Sequence, residues 1–420
     1  MINLNCTESS DLADWLAFID SLHSQVIDMS LSRVESVAEK MDLKKPAKLT
    51  FLIGGTNGKG TTCHAIEKIL IYSGYTVGVF SSPHIHDYKE TVRIQGKGVS
   101  ESSFASAFHR INNARMKTTL TPFEFNTLAA LHIMKSEKVD VAIIEVGMGG
   151  RDDATNIVDP DVSVITNVAL DHEMWLGKDR GSIGLIKAGI FRTDKPAIVG
   201  ELLPPESLKT WAARIDAIPI QRGVDWDWQV SEKTWSYKDK QGVVNELPLP
   251  LMPLPNMATA LSALRASGLS FDLNALRKML VTDNLPGRFQ IVHSKPVVIL
   301  DAAHNPHAAA YLAERLSSLE IKGRFLFVIG VLIDKDIAGI IRELKSVADK
   351  WFCCGTAAGP RSSSAEDISK HLDVASVYPD ITEGWKAARK EAREGDVIVI
   401  CGSFMSVAPI LKELSPYLES

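Results

Sequence analysis

A glycine-rich run between an apolar strand and a helix constrains this chain more than any other feature. Residues 55–62 read Gly-Thr-Asn-Gly-Lys-Gly-Thr-Thr, between the apolar segment 48–53 and the segment 61–73, whose apolar residues have helical spacing. Glycines let backbone N–H groups approach an anion closely, and a helix N-terminus adds a favourable dipole. The pattern predicts a phosphate-binding loop, with Lys59 as its cation and Thr61 or Thr62 as the hydroxyl ligand of magnesium.

The run departs from the general phosphate-loop pattern at two places. Ile53 stands where the pattern G-x-x-x-x-G-K-[ST] has its first glycine, and Gly60 stands where it has Ser or Thr. A glycine-rich turn without a ligand is the alternative. The strand before the run and the helix after it are what a phosphate loop requires, so the loop is the favoured interpretation.

Apolar strands alternate with helical segments along most of the chain, starting with a helical region at 11–41. This alternation predicts an α/β fold with a mostly parallel sheet of the P-loop NTPase type. Around 200–255 short alternating segments predict a small antiparallel sheet, and the run LPLPLMPLP at 247–255 predicts an extended stretch before a helix that begins at Asn256. A second alternation from residue 297 predicts a smaller Rossmann-like domain.

The length of 420 residues favours two domains. We place them at 1–294 and 295–420, with a linker near His293–Pro296. The first would bind a nucleotide, and the second would complete the site.

Composition excludes several classes of function. A net charge of −5 argues against a nucleic-acid partner, and the five scattered cysteines form no CxxC pair that would indicate a zinc site. The first residues lack the basic and apolar regions of a signal peptide, and no apolar stretch is long enough to span a bilayer. These features predict a cytoplasmic protein without a membrane or nucleic-acid partner.

Polar residues follow several predicted strands, at the edge where open α/β sheets bind ligands. A hydroxyl of Ser81 or Ser82 is placed to reach a metal, although an ordinary Ser-Pro turn has the same sequence. Glu145 ends an apolar run, where a carboxylate is costly unless it is paired or bound to a metal. Its place suits a magnesium ligand or an acid that orients water, and a buried ion pair is the alternative. The pair Asp171-His172 follows another strand, and the acid beside the histidine favours a functional role.

Three further segments carry candidate chemistry. Lys187 lies among apolar residues, where burial would favour a neutral amine that can react with carbon dioxide to form a carbamate; a lysine on a helix surface is the alternative. The segments 301–307 and 334–336 follow strands of the second domain and could face a nucleotide. Helix capping by Asn305 or Asp336 is the alternative for these two.

Taken together, the motifs resemble the folylpolyglutamate synthase family. GTNGKGTT, SSPH, LTPFEF, EVGMGG, DATN, ALDH, KAGIF, LPGRFQ, DAAHNPHA and CGSF occur in the order known for that family, from about residue 12 to about residue 415. The best match is to its bacterial bifunctional dihydrofolate synthase/folylpolyglutamate synthases, in the wider Mur ligase group. The resemblance implies that ATP phosphorylates the carboxylate of dihydropteroate or of a reduced folate's glutamyl tail, and that L-glutamate then attacks the acyl phosphate.

The resemblance also implies a role for each matching residue. The catalytic residues would be Lys59, Lys187 as a carboxylated lysine, and His304, which would position glutamate or phosphate. The ATP-binding residues would be Asn57, Gly58, Lys59, Gly60, Thr61, Asn256, Arg288 and Asp301. The Mg²⁺ ligands would be Ser82, Glu145 and His172. The pterin-binding residues would be Ile27, Asp28, Met29, Thr121, Pro122, Phe123, Glu124, Asp152, Asp153 and Ala154. The family further implies a monomer and allows a monovalent cation.

Four positions depart from the family pattern near these residues. Thr91 replaces an arginine, Asp152 a leucine, Glu173 a threonine and Ile186 a glutamate. These changes leave open a paralogue that binds nucleotide and folate but has lost turnover. A Mur-type ligase acting on a UDP-muramyl peptide is a second alternative, which the LTPFEF segment and the short N-terminal region disfavour.

Overall fold

The computed structural model describes residues 6–25, 27–85, 87–292 and 295–414. The chain forms two compact units, the first of residues 1–168 and 175–283 and the second of residues 169–174 and 284–420. The segment 169–174 therefore belongs to the second unit, although its neighbours in the chain belong to the first. The domain division at 294/295 stays a prediction, and residues 293 and 294 of the predicted linker lie outside the described residues.

The first unit is built on an eight-stranded, mostly parallel sheet. Its order is β4-β3-β2-β5-β1-β6-β7-β8, and only the edge pair β3 and β4 breaks the parallel arrangement. Parallel strands require crossover connections, which helices supply. The strands are β1 (Leu49–Gly54), β2 (Val77–Phe80), β3 (Val92–Ile94), β4 (Lys97–Gly98), β5 (Val141–Glu145), β6 (Val162–Ile165), β7 (Pro196–Val199) and β8 (Ile218–Gln221).

Helices cover this sheet, and their starts follow from capping residues. Helix α5 begins after Thr121, which forms a capping box with Glu124 around Pro122 in the first turn. The helices up to the end of the first unit are α1 (Leu12–Ser21), α2 (Leu31–Lys40), α3 (Lys59–Tyr72), α4 (Glu101–Arg115), α5 (Pro122–Ser136), α6 (Glu173–Leu176), α7 (Arg180–Ala188), α8 (Glu206–Arg214), α9 (Leu254–Ala266) and α10 (Leu273–Thr282).

Three helix boundaries differ from the sequence-based expectation. The helical region at 11–41 is two helices, α1 and α2. Helix α3 begins at Lys59 rather than at residue 61, because Gly58 has a left-handed backbone and ends the loop there. Helix α9 begins at Leu254 rather than at Asn256, since a proline in the first helical turn sacrifices no backbone hydrogen bond.

A small antiparallel sheet, as predicted, is formed by β9 (Trp226–Val230), β10 (Thr234–Asp239) and β11 (Gly242–Pro248). Alternation places Trp235 and Tyr237 on its buried face. The rings of Trp226 and Tyr237 stack with centroids 5.8 Å apart. Stacked aromatic rings therefore form part of the core beneath this sheet.

The second unit is a six-stranded sheet in the order β12-β13-β17-β14-β15-β16, parallel except for its edge strand β12. Its elements are β12 (Gln290–Val292), β13 (Val297–Leu300), α11 (Pro306–Ser317), β14 (Phe325–Ile329), α12 (Ile337–Leu344), β15 (Lys350–Cys354), α13 (Ala365–Ser369), β16 (Ser376–Tyr378), α14 (Ile381–Glu391), β17 (Val397–Cys401) and α15 (Phe404–Leu414). The predicted fold class is confirmed. Of the described helices, none has the length and apolar character needed to cross a membrane.

Asp396 anchors the entrance to β17 and offers a test of the second unit. Its carboxylate accepts hydrogen bonds from the Arg324 guanidinium at 2.8 Å and from the backbone N–H groups of Arg324 and Arg393 at 2.8 and 2.9 Å. Burial raises the pKa of this carboxyl, but these hydrogen bonds outweigh burial and lower the pKa to about 2. The carboxylate therefore stabilises the fold above its unfolded pKa of about 3.9, and this contribution is lost as pH falls towards 2.

Asp396→Asn is expected to lower the free energy of unfolding at pH 7 by about 1–3 kcal/mol, because the variant weakens hydrogen bonds to a charged group. Urea unfolding of both proteins at pH 7, 5, 4 and 3 measures the difference. The difference should be constant from pH 7 to 5 and shrink by pH 3. A difference that stays constant down to pH 3 would contradict the assignment.

Candidate active site

The carboxyl ends of neighbouring strands bring the predicted phosphate and metal residues of the first unit together. The order β2-β5-β1-β6 places the loops that follow these strands side by side. The register pairs Ile53 with Glu145 and Gly54 with Ile165. Ser82, Glu145 and the phosphate loop therefore lie at one edge of the sheet, where α/β folds bind ligands.

The phosphate loop (residues 55–60) needs glycine at two positions for steric reasons. Gly55 and Gly58 have φ angles of +134° and +82°. A Cβ on Gly55 would collide with the side chain of Thr166, and one on Gly58 would collide with the side-chain amide of Asn256. The loop backbone thus lies directly against Asn256, so the structure brings this predicted nucleotide residue to the loop.

Two residues that the sequence did not single out hold the phosphate loop. Asn167 Oδ1 accepts from the Asn57 N–H at 3.0 Å, and its Nδ2 donates to the Asn57 carbonyl at 2.8 Å. Thr166 Oγ1 donates to the same carbonyl at 2.7 Å. Both residues follow β6, the neighbour of β1, and that strand-end position is the signal that could have found them.

Lys59 begins α3 and lies over the loop. Its Nζ donates to the carbonyls of Gly55 and Thr56 at 3.3 and 3.4 Å. The loop therefore combines a flexible ammonium group with the N-terminus of a helix, both of which attract an anion. Thr61 follows in the first turn of the helix and is buried.

Glu145 and Ser82 are neighbours beside the phosphate loop. The carboxylate of Glu145 is buried at the end of β5, and its Oε2 accepts from the Ser82 N–H at 3.4 Å. A Cβ on Gly60 would lie 3.4 Å from the same Oε2, so the missing side chain lets the carboxylate approach the first turn of α3. A carboxylate and a hydroxyl are hard oxygen donors, which fit a magnesium ion bound to phosphates.

Lys187 lies in the last turn of α7 and is buried, with 3% of its surface exposed, which removes the helix-surface alternative. Its Nζ donates to the Gly55 carbonyl at 2.9 Å. The side chain of Lys187 therefore contacts the phosphate loop although it lies 132 residues from Gly55 in the chain. Two lysines thus converge on the Gly55 carbonyl.

Two of the predicted pterin-binding segments are tied together by Arg33, which the sequence did not indicate. Its Nη1 lies 2.8 Å from Asp28 Oδ2, and its Nη2 donates to Glu124 Oε1 at 2.9 Å. The other oxygen of Glu124 accepts from the Thr121 N–H at 2.7 Å. Glu124 is buried, so it holds the start of α5 in place, and its charge is balanced by Arg33.

The third predicted segment, 152–154, approaches the same region through the loop after β5. A Cβ on Gly147 would lie 2.5 Å from the Phe123 ring. The centroid of that ring lies 5.8 Å from the centroid of the Phe80 ring. Asp153 is buried, which raises its pKa, and its carboxylate accepts from the Met148 N–H at 2.8 Å. Asp153 thus shapes the loop, whereas Asp152 pairs with its neighbour Arg151.

The second unit carries the remaining predicted residues. Asp301 accepts from the N–H groups of Phe289 and Ala303, both at 2.8 Å. Burial raises the pKa of the Asp301 carboxyl, and the charge of Arg288 opposes this shift. His304 Nε2 lies 3.5 Å from Asp171 Oδ2. The structure therefore brings Arg288, Asp301 and His304 into one unit.

His172 belongs to the segment 169–174 of the second unit. Its backbone has a φ of +52°, and its N–H donates to Asp171 Oδ1 at 2.8 Å. Only 7% of the Asp171 side chain is exposed, and Lys335 Nζ lies 2.5 Å from Asp171 Oδ1. Asn305 and Asp336 cap helices α11 and α12, which is the capping role given above as the alternative for these two segments. Asn305 Nδ2 also donates to Asp171 Oδ2 at 3.1 Å.

Two family models match the chain. Residues 53–195 match the Mur ligase middle domain, and residues 287–404 match the Mur ligase glutamate ligase domain. The chain is 50% identical over 404 residues to dihydrofolate synthase/folylpolyglutamate synthase of Escherichia coli strain K12, covering 96% of each chain. It is 39% identical over 434 residues to the Haemophilus influenzae protein of the same name, covering 97% of this chain and 98% of that one.

Solved structures agree with these relatives. E. coli FolC in complex with DHPP and ADP has a TM-score of 0.96 and 48% identity, covering 99% of this chain and 100% of that one. A bifunctional folylpolyglutamate synthase/dihydrofolate synthase with Mn, AMPPNP and L-glutamate bound has a TM-score of 0.92 and 46% identity, covering 97% and 99%. The chain therefore belongs to the dihydrofolate synthase/folylpolyglutamate synthase family of the Mur ligases.

Proposed function

We propose that the protein uses ATP to join L-glutamate to dihydropteroate, forming dihydrofolate, and to the glutamyl tail of reduced folates. One observation carries this proposal. One edge of the sheet in the first unit carries the phosphate loop, the Ser82–Glu145 pair and Lys187. The same unit contains the three segments predicted to bind a pterin. Relatives of this chain have been solved with DHPP and ADP and with Mn, AMPPNP and L-glutamate.

The first step transfers a phosphoryl group. A carboxylate oxygen of the folate substrate attacks the γ-phosphorus of ATP, the bond to the bridging oxygen breaks, and ADP leaves. Lys59 and the phosphate loop offset the charge that develops on the phosphoryl oxygens. Ser82, Glu145 and His172 are the proposed magnesium ligands, and bound magnesium would neutralise phosphate charge. Asn57, Gly58, Gly60, Thr61, Asn256, Arg288 and Asp301 are proposed to hold the nucleotide.

The second step forms the amide bond. The neutral amine of L-glutamate attacks the carbonyl carbon of the acyl phosphate, the tetrahedral intermediate expels phosphate, and the nitrogen loses a proton. His304 is proposed to position glutamate or the leaving phosphate. Phe123 is proposed to offer an aromatic face to the pterin, and Arg33 links two of the three segments proposed to surround it.

Lys187 is proposed to be carboxylated in the active protein. Its burial supports this idea, because an ammonium group is costly in a site with little water, whereas a carbamate could face a cation. We also propose a monomeric state and a cytoplasmic location, and the site could accept a monovalent cation in addition to magnesium.

A substrate panel tests the proposed function. Purified protein with ATP, magnesium and L-glutamate is given dihydropteroate, a reduced folate or a UDP-muramyl peptide, and ADP release is measured. We expect release above background with dihydropteroate and with the reduced folate only. Release with the muramyl substrate alone would indicate a peptide ligase, and the absence of release with all three would indicate a paralogue without turnover.

A further inference from the structure

A buried ion pair connects the helix that follows the phosphate loop to the edge of the sheet. Glu67 of α3 is fully buried, and Arg93 of β3 reaches it with Nη2 at 2.9 Å and with Nε at 3.3 Å from both carboxylate oxygens. Burial alone would lower the pKa of Arg93, but the charge and hydrogen bonds of Glu67 outweigh burial and raise it. The Arg93 guanidinium is therefore charged in the folded protein.

Such a pair needs an explanation other than stability. Removing two charges from water is costly, and a buried pair often contributes no more to stability than apolar residues of the same volume would. What the pair does provide is fixed geometry, since a guanidinium group donates along several set directions at once. The hydrogen bonds from the Nη1 group of Arg93 show which part of the chain is held in place.

The remaining nitrogen of Arg93 holds the loop that carries Ser82. Its Nη1 donates to Ser81 Oγ at 2.7 Å and to the Glu90 carbonyl at 3.0 Å. The backbone of Ser81 is held as well, because its N–H donates to the Thr91 carbonyl at 3.0 Å. The next residue along the loop is Ser82, whose N–H donates to Glu145. A continuous set of contacts thus runs from Glu67 through Arg93 and Ser81 to the Ser82–Glu145 pair.

The neighbouring family departure belongs to the same region. Thr91, which stands where the family pattern has an arginine, is buried, and its hydroxyl donates to the Tyr88 carbonyl at 2.7 Å. The Thr91 side chain therefore stabilises the turn at 88–91. The guanidinium group that contacts the Ser81–Ser82 loop belongs to Arg93 instead. The negative charge of Glu145, a proposed metal ligand, also contributes to the raised pKa of Arg93.

We propose that Arg93, held by Glu67, is a positioning residue that sets the spacing of Ser82 and Glu145 and thereby the affinity for the divalent cation. The proposal rests on the proposed function, because it assumes that these two residues bind the cation of an ATP complex. Groups that orient metal ligands typically change metal affinity by about 10–100-fold when they are lost.

Ser81→Ala is the sharpest variant, since it removes the hydrogen bond from Arg93 to the loop and leaves the buried ion pair intact. The probe is Mn²⁺, titrated by electron paramagnetic resonance into the full-length protein with a non-hydrolysable ATP analogue. We expect Mn²⁺ to bind about 10-fold more weakly. The magnesium concentration for half-maximal turnover should rise in parallel, while the KM for glutamate stays unchanged.

Three further variants complete the test. The double variant Glu67→Gln/Arg93→Gln removes both charges without leaving either one buried alone, and it should also weaken Mn²⁺ binding. Arg93→Lys keeps the charge but loses the fork of donors, so it should give an intermediate affinity. Ser231→Ala removes a serine hydrogen bond in the turn between β9 and β10 and should bind Mn²⁺ as the parent does.

The outcomes separate the two proposals. If the parent protein turns over ATP and binds Mn²⁺, and Ser81→Ala and the double variant keep the parent's affinity, the positioning role is wrong and the proposed function stands. If the parent protein neither turns over ATP nor binds Mn²⁺ with the nucleotide analogue, the proposed function fails and the positioning role fails with it. Thermal unfolding of each variant confirms that weaker binding is measured on folded protein.

Discussion

Replacing Lys59 with alanine is expected to lower kcat for ADP formation by about 10²–10³-fold, the usual effect of removing one preorganised donor that stabilises a transition state. Lys59 begins α3, and its ammonium lies over the phosphate loop. Charge develops on the transferred phosphoryl group during the first step, and the variant removes one of the cations that lie beside the loop. The fold should be kept, because the hydrogen bonds that Lys59 donates to two loop carbonyls are long, at 3.3 and 3.4 Å, and only partly buried.

Lys48→Ala is the matched control for this prediction. Lys48 makes an ion pair with Asp140 at 2.9 Å, but 83% of its side chain is exposed. Exposed pairs contribute little, so this variant should keep the parent's kcat and stability. A Lys59→Ala protein that is folded and retains a kcat within a few-fold of the parent would show that the loop does not act on the transferred phosphoryl group.

The second large effect is expected for Glu145→Gln. The change keeps the size of the side chain and removes its charge, so the end of β5 should stay in place. A neutral amide is a much weaker ligand for magnesium than a carboxylate. We expect kcat at moderate magnesium to fall by about 10²–10³-fold, comparable to the loss of other electrostatic groups at the transferred phosphate, and to recover in part at high magnesium.

The dependence on magnesium separates this prediction from a structural effect. Turnover of the parent and of Glu145→Gln is measured across a magnesium series at saturating ATP, with Mn²⁺ binding as a second readout. Glu206→Gln, at a side chain that is 82% exposed, is the matched control and should follow the parent's curve. A Glu145→Gln protein with the parent's magnesium dependence would remove Glu145 from the proposed ligand set.

The fold could be read from the sequence because its strands are apolar and regularly spaced. The apolar segment predicted at 48–53 corresponds to β1 within a residue, and the alternation predicted from residue 297 begins with β13. The first residue of a helix was harder to predict where the conformation of a single glycine or proline determines it. Gly58 sets the start of α3 through its left-handed conformation, and Pro255 is tolerated in the first turn of α9.

The site could be predicted only where a short motif carries the chemistry. The phosphate loop is such a motif, since its glycines and Lys59 are adjacent in sequence. Asn167, which holds the loop, lies 110 residues from its partner Asn57, and Arg33 lies 91 residues from Glu124. These contacts depend on strand order and helix packing. Asn167 is marked only by its position after a strand, and Arg33 belongs to no motif, so the short motifs did not single out either residue.

The most direct test of the central claim is to follow labelled L-glutamate into product. The purified protein is incubated with ATP, magnesium, dihydropteroate and labelled L-glutamate, and labelled dihydrofolate and ADP are quantified together. The proposed function predicts labelled dihydrofolate and ADP in equal amounts, with neither formed when ATP or dihydropteroate is omitted. ADP formed without labelled dihydrofolate, or no product at all from folded protein that binds ATP, would contradict it.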